Sequence, residues 1–155
     1  MATVDPDALK AYSFTLFSKL EGAVTAVMVH LGDRLGLYRA LAAGEQPVTS
    51  TELAERTGLD ERWVREWLHN QGAAKLIAFD EAGERFWLTP EGMAVTADSD
   101  SPYFGLGMFL RLPTLSGVID RLIESFHSGL GYDYDAGGQE VASSVEMGMA
   151  PWYRH

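Results

Sequence analysis

The chain has 155 residues, 46% of them hydrophobic and 22% charged, which suits one folded domain with appended helices and excludes disordered, collagen-like or low-complexity sequence. Twenty-two acidic against twelve basic side chains give a formal charge of -10, so the molecule as a whole repels the phosphate backbone that dominates nucleic-acid affinity. Cysteine is absent, which excludes disulfides, thiolate catalysis and cysteine-ligated zinc.

The acidic N-terminus has neither the basic region nor the apolar core of a signal peptide, and the apolar runs read as too short to cross a membrane, so a cytoplasmic location is expected. Ala8 to Ser18 predicts a helix that continues or kinks into a longer one from Leu20 to Ala43. On that second stretch Leu20, Val24, Val27, Leu31 and Leu35 recur at spacings of four and three and share one helix face. The face is broader than a small domain covers by itself, so residues 1–43 read as a helical dimerisation arm and a homodimer is expected. His30 lies beside the stripe with no carboxylate at helical spacing, which points to a hydrogen-bonded interface histidine rather than a catalytic base.

Residues 44–97 carry the signals of a winged helix. Pro47-Val48 is a short extended piece, and Thr49, Ser50 and Thr51 offer cap hydroxyls to a helix ending near Arg56, with Glu52 in its first turn. Gly58 suits a left-handed stop, and Asp60 caps a following helix that carries Trp63, Val64, Trp67 and Leu68. Trp63 and Trp67, four apart, are expected to share a buried face, with Trp87 packing on the same side. Leu76 to Phe79 and Arg85 to Leu88, joined by Asp80 to Gly83, predict a hairpin wing. Thr89-Pro90-Glu91 opens one more helix, to about Thr96.

The tract Asp98-Ser99-Asp100-Ser101-Pro102 marks an internal boundary. Beyond it residues 98–128 predict a helical pair, Tyr103 to Leu112 and Leu115 to Ser128, divided by Pro113. Residues 129–155 are glycine-rich and read as a connector. The fold class is therefore mainly α: a winged helix-turn-helix with a small β-hairpin wing, an N-terminal helical arm and a C-terminal helical extension.

Three apparent sites have plainer explanations. A helix-turn-helix normally enters the major groove, but residues 45–91 hold ten acids against five bases, so DNA binding is disfavoured. Gly129-Leu130-Gly131 follows a helix rather than a strand and lacks a third glycine, so it reads as a bend, not a nucleotide loop. His127, Asp133 and Asp135 match no metal spacing, and no metal is expected.

The segments LGDRLGLYRALA (31–42), TSTELAERTGLDERWVREWLHNQGAAKLI (49–77) and RFWLTPEGMAVTAD (85–98) resemble actinobacterial class I S-adenosylmethionine-dependent methyltransferases, which place a winged helix ahead of a Rossmann-like catalytic domain. The resemblance covers nearly the whole chain from about residue 10. It implies that the winged helix is a structural and dimerising unit and that the helices after the wing form a lid over a small, apolar or aromatic substrate. It further implies a catalytic, cofactor-binding domain following His155, so that this chain carries no catalytic or cofactor-binding residue and is inactive alone. The substrate-pocket candidates are Tyr103, Phe104, Met108, Phe109, Leu112, Met147, Trp152 and Tyr153, methionines and aromatics that suit an adaptable apolar site and that could equally pack the helical pair. A ligand-responsive regulator and a stand-alone small-molecule-binding dimer are the alternatives.

Overall fold

The computed structural model describes residues 4–44 and 46–131, with Val145, Glu146, Met149 and Tyr153 beyond them. Helix α1 (Pro6–Arg34) begins where the Asp5 side chain accepts a hydrogen bond from the Asp7 N–H at 2.9 Å, with Pro6 in the first turn. It is one unbroken helix of 29 residues, about 43 Å long at 1.5 Å per residue. The helix expected to reach Ala43 instead stops at Arg34, because Gly36 takes the left-handed conformation (φ 72°) and turns the chain into α2 (Leu37–Ala42).

A capping box opens α3 (Ser50–Thr57): Thr49 Oγ1 accepts from the Glu52 N–H at 3.2 Å, and the Glu52 carboxylate accepts from the Thr49 N–H at 2.7 Å. Gly58 ends it at φ 70°, and the Asp60 side chain caps α4 (Glu61–Ala73). The wing is shorter than expected, β1 (Ala78–Phe79) pairing antiparallel with β2 (Phe86–Trp87), because the Asp80 carboxylate accepts from the N–H groups of Glu84 and Arg85 and closes the turn early. Val48 bridges Phe86 on the other side, exchanging hydrogen bonds at 2.9 and 2.8 Å.

After α5 (Pro90–Thr96), capped by Thr89, the chain departs from the predicted helical pair. Tyr103 and Phe104 precede a 3-10 helix (Leu106–Arg111) that runs directly into α6 (Leu112–Gly117). Pro113 sits in the first turn of α6, where a missing N–H is harmless, and the break falls at Val118 before α7 (Ile119–Ser128).

The core gathers Leu37, Tyr38 and Leu41 from α2, Leu53 from α3, Val64, Trp67 and Leu68 from α4, and Phe86 from the wing. Tyr38 meets Trp67 edge-on at 5.0 Å between ring centres, its hydroxyl donating to the buried Gln71 side-chain oxygen. Trp67 Nε1–H donates to the Met28 carbonyl at 2.9 Å, which fastens α1 to α4. Leu106, only 2% exposed, belongs to the same core, so the chain beyond the acidic tract folds back onto the winged helix.

Candidate functional site

Two surfaces carry most of the candidate residues read from the sequence. The first surrounds the 3-10 helix. Leu106 and Gly107 are buried, Phe104 and Phe109 pack against the core, and His30 Nδ1 lies 3.1 Å from the Phe109 carbonyl oxygen, tying this segment to α1. Of the remaining pocket candidates, Leu112 is half-buried, whereas Tyr103 and Met108 are exposed on the same short stretch. Tyr153 is exposed; Met147 and Trp152 lie outside the described residues. The structure thus seats Phe104 and Phe109 on the core, ties Phe109 to His30, and leaves Tyr103 and Met108 exposed.

The second surface is the arm. Leu20, Val24, Val27, Leu31 and Leu35 are all exposed, from 63% at Leu20 to 41% at Leu31. The stripe also extends toward the N-terminus through Leu9, Tyr12 and Leu16, equally exposed, an extension legible in their spacings of three and four but not drawn from the sequence. Nearly every residue from Val4 to Val24 is exposed, so only the last third of α1 packs on the rest of the protein. The expectation that the apolar runs are too short for a membrane is corrected here. Once the two predicted helices fuse, α1 is long and apolar enough to cross one by length and composition.

At the C-terminal end of the stripe lies an apolar groove of about 370 Å³, bounded by Met28, Leu31 and Leu35 and closed by Leu37, Leu59, Trp63, Val64 and Trp67. The charged residues in its lining are Asp60 and Glu66. The shared buried face expected of Trp63 and Trp67 is only half right. Trp67 is sealed under α1 by Met28 and Gly32, but Trp63, one turn earlier, is 70% exposed with the Arg62 guanidinium 5.8 Å from its ring centre. Trp87 is half-buried.

On α4, Arg65 pairs with Glu61 at 3.4 Å and Arg62 stacks on Trp63, so both arginines of the would-be reading helix have partners within the protein. The Glu52 carboxyl is held below the usual carboxylate range chiefly by the Thr49 N–H, with Arg85 helping from 3.4 Å. Its role is to cap a helix, not to move protons. Gly129 is the left-handed cap of α7 (φ 71°), so Gly129-Leu130-Gly131 terminates a helix and does not fit the strand-to-helix cradle that a nucleotide-bearing cofactor needs. His127 lies in the last turn of α7, and Asp133 and Asp135 lie outside the described residues; among the described residues no three histidine or carboxylate side chains gather for a metal.

Helix-turn-helix, Val48 bridge and two-stranded wing agree with a family match over residues 23–97, described as the Rv2258c-like winged HTH domain. Residues 23–97 are therefore similar to that domain family, and the winged helix-turn-helix is the fold they adopt. Demethylsterigmatocystin 6-O-methyltransferase of Aspergillus parasiticus is 27% identical over 105 residues, covering 68% of this chain and 26% of that enzyme. The mitomycin 7-O-methyltransferase MmcR matches 96% of this chain with a TM-score of 0.74 at 20% identity, and CalO1, a methyltransferase of calicheamicin biosynthesis solved with SAH bound, matches 97% with a TM-score of 0.67 at 23% identity. Human N-acetylserotonin methyltransferase, solved with SAM, matches 97% with a TM-score of 0.65 at 14% identity. At these identities the solved structures show a common fold, and the chain spans 46%, 46% and 44% of their lengths. The likeness extends beyond the Rv2258c-like domain to the arm and to the helices after the wing.

Proposed function

We propose that this chain is the assembly and substrate-enclosing region of an S-adenosylmethionine-dependent methyltransferase that acts on a small apolar or aromatic molecule, and that it is not catalytic alone. The observation that carries this reading is the extent of the fold match: 96% of the chain, arm and post-wing helices included, follows an O-methyltransferase rather than the winged helix alone. In the whole protein the cofactor would supply a methyl group to a nucleophilic atom of the substrate. This chain's part is to pair two copies through the apolar face of α1 and to hold the 3-10 helix as a wall, with Phe104 and Phe109 rooted in the core and Tyr103 and Met108 turned toward the substrate.

The test is light scattering and calorimetry on the 155-residue chain. A dimer that gives no saturable heat with S-adenosylmethionine is the expected result. A stable monomer, or tight cofactor binding, would overturn the reading.

A further inference from the structure

A cleft of mixed character separates α4 from the wing. It has two lobes, of about 410 and 330 Å³, that share His69, Ala82, Gly83 and Phe86. The smaller lobe is aromatic. Phe79, 50% exposed, lies so close on α4 that a Cβ at Gly72 would stand 3.0 Å from its Cδ1. Phe86 has the Phe79 ring centre at 6.4 Å and that of His69 at 5.9 Å, so three rings gather around this one lobe. None of these residues belongs to the wall of Tyr103, Phe104, Met108 and Phe109, and the cleft is a place apart from it.

The larger lobe reaches the start of α3, where Ser50, Arg65 and Glu84 stand in its lining. Ser50 Oγ donates its one proton to Glu61 Oε1 at 2.6 Å, so what it offers to the cleft is lone pairs. The other oxygen of Glu61 holds the Arg65 guanidinium at 3.4 Å, and those two charges offset each other. Glu84 is exposed and has no ion-pair partner among the described residues. It is therefore the uncompensated charge of an acceptor-rich rim, on a molecule whose formal charge of -10 already concentrates cations near its surface. An anion would meet Glu84 unpaired and would have to draw Arg65 away from Glu61. We infer that this cleft is a binding site for a small organic cation of the arylalkylammonium class, its ammonium donating to Glu84 and Ser50 and its ring seated among Phe79, Phe86 and His69.

Titration calorimetry of the 155-residue chain with 2-phenylethylammonium chloride, followed on the backbone amides by nitrogen-15 NMR, tests the site. The expected result is one saturable site with a Kd in roughly the millimolar range, as suits so few atoms, and amide shifts gathered at His69, Ala82 and Gly83. Glu84→Gln is expected to raise that Kd about tenfold with the circular dichroism unchanged, because the fold uses the Glu84 N–H, bonded to Asp80 at 2.9 Å, and not the carboxylate. The uncharged 2-phenylethanol should bind more weakly by a similar factor. Phenylacetate bound as tightly as the ammonium, or a Glu84→Gln constant equal to that of the parent chain, would overturn the cation site. Absence of saturation would overturn it too, and so would shifts gathered over residues 104–112, which would move the cation to the proposed substrate wall and leave the enclosing role standing.

Discussion

His30 Nδ1 and the main-chain oxygen of Phe109 lie 3.1 Å apart across 79 positions of sequence, and this bond joins helix α1 to the 3-10 helix that carries Met108 and Phe109 of the proposed substrate wall. A carbonyl oxygen only accepts, so Nδ1 carries the proton in this contact. The histidine beside the apolar stripe therefore serves the join between two proposed functions, pairing and enclosure, rather than acid–base chemistry.

Removing that donor loosens the wall first. His30→Ala is expected to speed amide hydrogen exchange over residues 106–111 about fivefold, the effect of one hydrogen bond worth ~1 kcal/mol, with little change in the midpoint of global unfolding. Exchange rates equal to those of the parent chain would show that burial of Leu106 alone holds the segment.

Gly32 faces the two core aromatics so closely that a Cβ there would stand 2.6 Å from Trp67 Cζ2 and 2.8 Å from Tyr38 Cε2. An alanine in a helix gains about 1 kcal/mol over glycine, but overpacking against rings locked by the Trp67–Met28 and Tyr38–Gln71 bonds costs about 1–3 kcal/mol. The second effect wins at this position. Urea unfolding of Gly32→Ala is expected to show a net loss, and a gain would mean that the rings can shift.

The capping box of α3 gives the chain an acid-sensitive point. Hydrogen bonding from Thr49 lowers the folded-state pKa of Glu52 below its ordinary 4.5, so the contribution of the carboxylate is present above 4.5 and is lost as pH falls through the folded value. Glu52→Gln should therefore flatten the acid limb of stability below about pH 4.5, measured by thermal unfolding across a pH series. Thr49→Ala should cost about 1 kcal/mol at neutral pH.

Tyr38 supplies the opposite limb. Burial first, and the nearby Asp33 second, push its phenol above the ordinary 10.0, so its contribution is intact below pH 10.0 and is lost as pH rises toward the folded value. Tyr38→Phe should lose about 1–3 kcal/mol at pH 7 by leaving the Gln71 oxygen without its donor, yet fall less steeply than the parent above pH 10. Parallel stability curves for the two chains would contradict the assignment.

Duplex DNA should show no mobility shift even at low salt. The formal charge of -10 opposes the phosphates, and Arg62 and Arg65 on α4 are already engaged with Trp63 and Glu61. A salt-sensitive shift would restore the regulator alternative.

The elements of the winged helix were legible because each boundary has a chemical signal next to it in sequence: Thr49 with Glu52, Gly58, Asp60, Thr89 with Pro90. Where the signal was weaker, the outcome depended on packing. Gly36 is not legible as a stop in the sequence, because Leu35 and Leu37 both continue an apolar pattern, and only the fold shows the first exposed on the stripe and the second buried in the core. Trp63 and Trp67 have the same spacing as any buried pair, but Met28 and Gly32 of α1 cover only the second. Of the proposed pocket residues, sequence could not distinguish Phe104 and Phe109, which pack on the core, from Tyr103 and Met108, which do not.

Sequence by itself determined the helix caps, the turn chemistry, the acidic excess over residues 45–91 and the apolar face of α1, because these depend on composition and on residues within one or two turns of each other. Tertiary structure alone decided which apolar residues are core and which stay exposed, and where that surplus collects. Burial is a relation between segments distant in the chain: the groove beside Trp63 exists only because the end of α1 is fastened across α4 by the bond from Trp67 to Met28, 39 positions away.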